Sequence, residues 1–163
     1  MWYRGSLDST WHGIYLGPGT YSYVSGSDFD RDGKTDPAHF NYSSNVLWYM
    51  ESSSGMWYGV YLGPGTYEYV EASDFDGDGT TDPAQFTASS NVLWYVPSGG
   101  GGLTGVWMGG TPLTYVPAAD FDGDGMTDPA GFDPVAHLIW YLPSGGGGWT
   151  THDMGAGTYT IVN

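Results

Sequence analysis

The chain repeats itself every 46 residues without a gap, and that period constrains the fold more than any other feature. Trp2-Tyr3 recurs as Trp48-Tyr49, Trp94-Tyr95 and Trp140-Tyr141, and Gly17 as Gly63, Gly109 and Gly155. A fixed period of this length marks a repeat architecture, in which one supersecondary unit cannot bury its apolar face alone and must stack on its neighbours. At 163 residues the chain carries about 3.5 such units.

Each unit reads as four short strands. Thr66 to Phe75 leads into an acidic loop, Pro83 to Ser89 leaves it, Val92 to Val96 forms a third strand, and Trp57 to Leu62 shows the fourth in the preceding unit. Gly, Pro, Asn and Ser punctuate these runs at the short intervals of an all-β protein. The third and fourth strands carry large hydrophobes at even and odd positions alike, so the sheet is expected to be covered on both faces. Four-stranded sheets packed around an axis meet that demand, and the period suits a β-propeller blade. The expected division is a partial blade at 1–19 (third and fourth strands), blades at 20–65, 66–111 and 112–157, and the first strand of a next blade at 158–163. Gly17-Pro18-Gly19-Thr20 and its counterparts would link blades, and the runs after Pro97-Ser98 and Pro143-Ser144 read as flexible loops.

The most polar part of the unit is D-x-D-x-D-G-x-x-D, at Asp28–Asp36, Asp74–Asp82 and Asp120–Asp128. Carboxylates at loop positions 1, 3, 5 and 9, a backbone carbonyl at 7 and a Gly at 6 for the sharp turn form an all-oxygen cage suited to Ca2+. The expected ligands are Asp28, Asp30, Asp32, Asp36 and the Lys34 carbonyl in the first loop. They are Asp74, Asp76, Asp78, Asp82 and the Thr80 carbonyl in the second, and Asp120, Asp122, Asp124, Asp128 and the Met126 carbonyl in the third. Oxygen donors in a flexible loop favour calcium over magnesium, and the absence of Cys and of any His spacing argues against zinc.

The charge follows the loops. The net charge is -15, and 12 of the 18 acidic residues lie in them, so one divalent cation per loop would bring the chain to -9. Such a surface repels nucleic acid and anionic lipid, and no apolar run is long enough to insert in a membrane. No signal peptide is seen, and Met1 stands directly before a strand-like Trp2-Tyr3, which suggests an engineered or excised segment. Because 3.5 units should not close a ring alone and two copies supply seven, a homodimer is expected to complete the propeller.

The strings Asp-Phe-Asp-Gly-Asp-Gly-Thr-Thr-Asp-Pro-Ala (74–84) and Asp-Phe-Asp-Gly-Asp-Gly-Met-Thr-Asp-Pro-Ala (120–130) resemble the FG-GAP (VCBS-type) repeats of integrin alpha-subunit propellers and of bacterial surface and secreted proteins. The resemblance implies a cation between the first and second strands of each blade that rigidifies it. It implies an adhesion-type role, and the millimolar calcium outside cells suits an extracellular or cell-surface parent protein. The first loop departs from the pattern at Arg31, where the others have Gly77 and Gly123, and this extra cation is expected to weaken that loop's own site modestly.

A second function would rest on aromatic residues. Trp11, Trp57 and Trp149 share one repeat position, interrupted by Leu103, and Trp2, Trp48, Trp94 and Trp140 share another. Trp faces stack well on sugar rings, so the Trp11 series is the candidate ligand-binding set, whereas the Trp48 series is assigned to packing. The leading expectation is a non-enzymatic, calcium-stabilised recognition scaffold with a glycan or protein ligand. The alternatives are a carbohydrate-binding lectin with aromatic-lined sites between blades, and the accessory domain of a secreted hydrolase. His12, His39, His137 and His152 fall at unrelated repeat positions, no nucleophile motif is present, and Asn41-Tyr42-Ser43 is a formal glycosylation sequon.

Overall fold

The computed structural model describes residues 1–4, 8–24, 27–65, 68–69, 72–110 and 112–159. Every regular element among them is a β-strand, and all pairing is antiparallel. A two-stranded sheet, β1 (Trp2–Arg4) and β2 (Trp11–Gly13), is followed by three four-stranded meanders. The first comprises β3 (Tyr21–Val24), β4 (Ala38–Asn41), β5 (Val46–Met50) and β6 (Trp57–Tyr61). The second comprises β7 (Glu68–Tyr69), β8 (Ala84–Thr87), β9 (Val92–Tyr95) and β10 (Thr104–Trp107), and the third β11 (Thr114–Ala119), β12 (Asp128–Asp133), β13 (Leu138–Tyr141) and β14 (Thr150–Asp153). Sheet order equals chain order in each, as short connections dictate.

Register repeats with the sequence. His39 faces Trp48, Gln85 faces Trp94, and Gly131 faces Trp140 across the second and third strands of successive sheets. The hairpin joining these strands turns on Asn45, Asn91 and His137, all at positive φ (54°, 50° and 59°). Asn and His are among the few side chains that tolerate the left-handed region, which explains the placement of His137. In β11 one extra residue enters between Val116 and Ala119, where the register shifts. Pro117 lies in this bulge, one of the few strand settings where a missing N–H does no harm.

The second strand is the most buried of each sheet, with Ala38 to Phe40, Ala84 to Phe86 and all of β12 enclosed. The fourth strand was expected to be covered on both faces, yet Tyr58, Tyr61 and Trp107 are exposed there. The reason is topological: this strand is an edge of its sheet, paired on one side alone. Of the strand expected at 66–75, the described residues show Glu68–Tyr69 and an isolated bridge between Ser73 and Asp82; 66–67, 70–71 and most of the strand expected at 158–163 lie outside the described residues.

The sheets share cores. Val24, Phe29, Ala38, Phe40, Leu47 and Leu62 of the first meander pack with Ala72 and Val96 of the next. Phe75, Ala84, Phe86, Leu93, Met108 and Leu113 pack with Tyr115, Trp140 and Trp149. The phenylalanine inside each acidic loop stacks on the tyrosine of the Trp-Tyr pair, Phe29 on Tyr49 at 4.3 Å, Phe75 on Tyr95 at 5.1 Å and Phe121 on Tyr141 at 4.8 Å between centroids, and Phe29 and Phe75 are buried in the core. A polar loop is thus nailed to the core by one aromatic contact per repeat.

Candidate functional site

Each acidic loop is held in a left-handed turn by glycine at position 6, with φ of +82° at Gly33, +83° at Gly79 and +92° at Gly125. That turn lets successive backbone N–H groups point inward at the carboxylates. Asp74 accepts from Gly77 (2.7 Å) and Gly79 (2.8 Å), and Asp120 from Gly123 (2.6 Å) and Gly125 (2.9 Å). Position 5 likewise accepts from the position 7 amide, as Asp32 does from Lys34, Asp78 from Thr80 and Asp124 from Met126. The result is a convergence of carboxylates. Oxygens of Asp28, Asp30 and Asp32 lie within 4.8 Å of one another, as do those of Asp74, Asp76 and Asp78, and those of Asp120, Asp122 and Asp128. These three clusters could hold a metal ion, and their donors are all oxygen, which fits a hard cation.

The ninth position behaves differently from the others. Asp36, Asp82 and Asp128 are essentially inaccessible to solvent. Asp82 accepts from the N–H groups of Phe75 (2.8 Å), Asp76 (3.1 Å) and Ser98 (2.6 Å). Asp128 accepts from Phe121, Asp122 and Ser144, and Asp36 from Phe29 and Ser52. This residue therefore braces the loop against the connection between the third and fourth strands. Burial pushes the Asp36 and Asp82 carboxyls above the usual carboxylate range, against the lowering effect of those N–H bonds.

That connection, expected to be a flexible loop after Pro97-Ser98 and Pro143-Ser144, is a part of the site. Ser52, Ser98 and Ser144 occupy one repeat position, and their hydroxyls donate to Asp32 (2.9 Å), Asp78 (3.0 Å) and Asp124 (3.0 Å). Ser53 adds N–H and hydroxyl bonds to Asp30, and Gly99 and Gly145 place their N–H groups on Asp76 and Asp122. The recurrence of serine at 46-residue spacing was the available signal.

Two basic residues distinguish the loops. The Lys34 ammonium sits 2.7 Å from Asp32, occupying a carboxylate that the first site would need, and this contact holds Asp32 below its ordinary range. Arg31 does not lie over its own loop as expected. Its guanidinium packs where a Cβ on Gly79 would stand, 3.2 Å away, so its charge acts on the second loop. There, partial burial raises Asp78, but the Thr80 bonds, the Ser98 hydroxyl and Arg31 together hold it below the normal range.

The tryptophans converge in two grooves built from the same repeat positions. One, of ≈ 410 Å³, is lined by Tyr15, Leu16, Gly17 and Tyr21 on one side and by His39, Asn41, Trp48 and Trp57 on the other. The other, of ≈ 290 Å³, has Trp107, Met108, Gly109 and Leu113 at the corresponding places, facing Trp140 and Trp149. Trp57 and Trp149 thus meet Trp48 and Trp140, which the sequence reading assigned to packing, whereas Trp11 is 68% exposed and lines neither groove. Trp2, Trp48 and Trp94 lie over Gly13, Gly59 and Gly105 of the adjacent strand, closely enough that a Cβ there would meet the ring at 2.9, 2.9 and 2.6 Å. At the fourth place Thr151 pairs with Trp140, which instead packs into the core of the preceding sheet.

No family model, no curated protein and no solved structure matches this chain.

Proposed function

We propose that this chain is a calcium-rigidified recognition scaffold, a propeller-type repeat protein of the FG-GAP/VCBS kind that acts by binding and not by catalysis. The observation that carries the reading is the recurrence of one carboxylate cluster at one place on three successive sheets. A calcium ion would be held by Asp28, Asp30 and Asp32, by Asp74, Asp76 and Asp78, and by Asp120, Asp122 and Asp128. Asp124 and the buried Asp36 and Asp82 complete the donor sets, with the position 7 carbonyls of Lys34, Thr80 and Met126. When bound, the ion neutralises like charges that otherwise repel, and the serine-anchored connection transmits that order to the rest of the sheet. A site with a Kd of ~10 µM in ~1 mM calcium adds about 2.7 kcal/mol to folding, which suits an extracellular parent protein. Titration calorimetry should find three calcium ions per chain, and the melting temperature should fall in EDTA. An unchanged melting temperature refutes the assignment.

The four-stranded sheets are read as blades, and a second copy is proposed to complete the ring. Sedimentation that finds a stable monomer at all concentrations would refute the dimer.

A second reading, carbohydrate binding, is favoured by the paired grooves. Each offers flat indole faces, and the volumes of ≈ 410 and ≈ 290 Å³ lie at and just below the lower end of the range of small-ligand sites.

A further inference from the structure

The two grooves share tryptophan walls but differ at the strand position paired with the groove tryptophan: His39, which lines the first groove, corresponds to Gln85 in the second meander and to Gly131, covered by Leu113 and Met108, in the third. His39 is 4% exposed, and its Nδ1 has no hydrogen-bond partner. The ring meets Tyr21 (4.4 Å) and Trp57 (5.5 Å) of the groove walls edge-on. A buried ring nitrogen without a partner carries a desolvation cost that a ligand hydroxyl would relieve. A half-turn of the imidazole about χ2 brings that nitrogen to the other edge of the ring.

Gln85 has solved this problem internally. Its amide donates to the Leu62 carbonyl at 3.4 Å and its oxygen accepts from the Thr87 hydroxyl at 3.2 Å, and the neighbouring wall position is Leu103 in place of Trp. Gly131 leaves no side chain, and Leu113 and Met108 close in to within 3.0–3.3 Å of where its Cβ would be. The groove of the third meander has no polar side-chain group besides its indole N–H groups, and that of Trp140 lacks a partner.

We propose that this single strand position sets what each groove binds, and that His39 makes the Trp48–Trp57 groove the one that selects a polyhydroxylated ring with an apolar face, a pyranoside. The inference rests on the carbohydrate reading above. The ring stacks on indole while a hydroxyl pairs with the imidazole, an arrangement that rejects apolar rings because they would leave the buried nitrogen unsatisfied. The Gln85 position is self-satisfied and selects nothing, and the Gly131 groove prefers an apolar ring bearing one hydrogen-bond acceptor.

The test uses the full 15N-labelled chain in calcium, titrated with methyl β-D-glucopyranoside, methyl β-D-galactopyranoside and methyl α-D-mannopyranoside while the tryptophan indole resonances are followed. The Trp48 and Trp57 indoles should titrate, H39Q should weaken that titration at least tenfold with spectral dispersion intact, and H12Q should leave it unchanged. The double variant Q85H/L103W should make Trp94 titrate, a gain that misfolding cannot mimic. Equal titration of Trp48 in wild type and H39Q overturns the role of His39 and leaves the carbohydrate reading standing. No indole moving with any pyranoside refutes the carbohydrate reading and this inference together.

Discussion

Removing the Asp82 carboxylate should separate the two jobs of the acidic loop. In D82A the N–H groups of Phe75, Asp76 and Ser98 lose a common acceptor in a site that water does not reach. Hydrogen bonds to a charged group are worth about 1.5–3 kcal/mol each, and a donor left unpaired costs a similar amount. Because three donors share one carboxylate, we expect a loss of about 3–5 kcal/mol, a large part of the ~5–15 kcal/mol that a domain usually has. That corresponds to a fall of about 10 °C in melting temperature. The loss should persist in EDTA, since it does not depend on an ion. D78N is the counterpart: Asp78 lies in the cluster but braces only its own loop and the Ser98 hydroxyl, so the variant should lose calcium-dependent stabilisation and little else. Urea denaturation of both variants, with calcium and with EDTA, gives the four required values. If D82A and D78N are equally stable in EDTA, the bracing role is refuted.

Other outcomes follow from single contacts. R31G should raise calcium affinity at the second loop about two- to threefold by removing a nearby cation, and it relieves the positive φ of 59° at Arg31. Site-resolved titration would contradict this if only the first loop tightened. K34T should tighten the first loop, because the ammonium that competes for Asp32 is gone, and calorimetry on that variant reads it directly. G105A should cost about 1–3 kcal/mol and shift tryptophan fluorescence, since its Cβ would meet the Trp94 ring at 2.6 Å. Burial lowers His39 from its ordinary value of 6.5. Its neutral form is favoured by folding, so this stabilisation is full above about pH 6.5 and is lost as pH falls through the lowered folded value. Melting curves across that window should be flatter for H39Q than for wild type.

Strand positions were legible because the Val92–Tyr95, Trp57–Tyr61 and Ala84–Thr87 runs are short, apolar and closed by turn residues at a constant spacing. The carboxylate clusters were legible for the same reason, since the ligand spacing is local. What escaped were relations between segments distant in sequence. Ser98 reads as linker until the fold brings it 16 residues back onto Asp82, and Arg31 reads as a neighbour of Asp30 until it crosses to Gly79. His39, Gln85 and Gly131 share one repeat position but carry three unlike side chains, and the register against Trp48, Trp94 and Trp140 shows what that position faces.

The same logic explains how one loop governs more than its own sheet. The Thr81 N–H donates to the Asp28 carbonyl at 2.9 Å and the Asp28 N–H donates to the Thr81 hydroxyl at 3.0 Å, while Thr127 donates to the Asp74 carbonyl at 2.7 Å. Thr35, Thr81 and Thr127 occupy position 8 of the three loops, so the second and third loops each reach back to the first aspartate of the loop before. The acceptors are the backbone carbonyls of Asp28 and Asp74, whose side chains belong to the clusters, and these bonds join successive sheets alongside side-chain packing and the Gln85–Leu62 bond. Ordering one loop therefore fixes the backbone of the next, and the rim of acidic loops acts as a continuous strap across the sheets. The groove that sets Trp107 to Leu113 against Trp140 and Trp149 lies between the second and third meanders, two sheets that this strap joins.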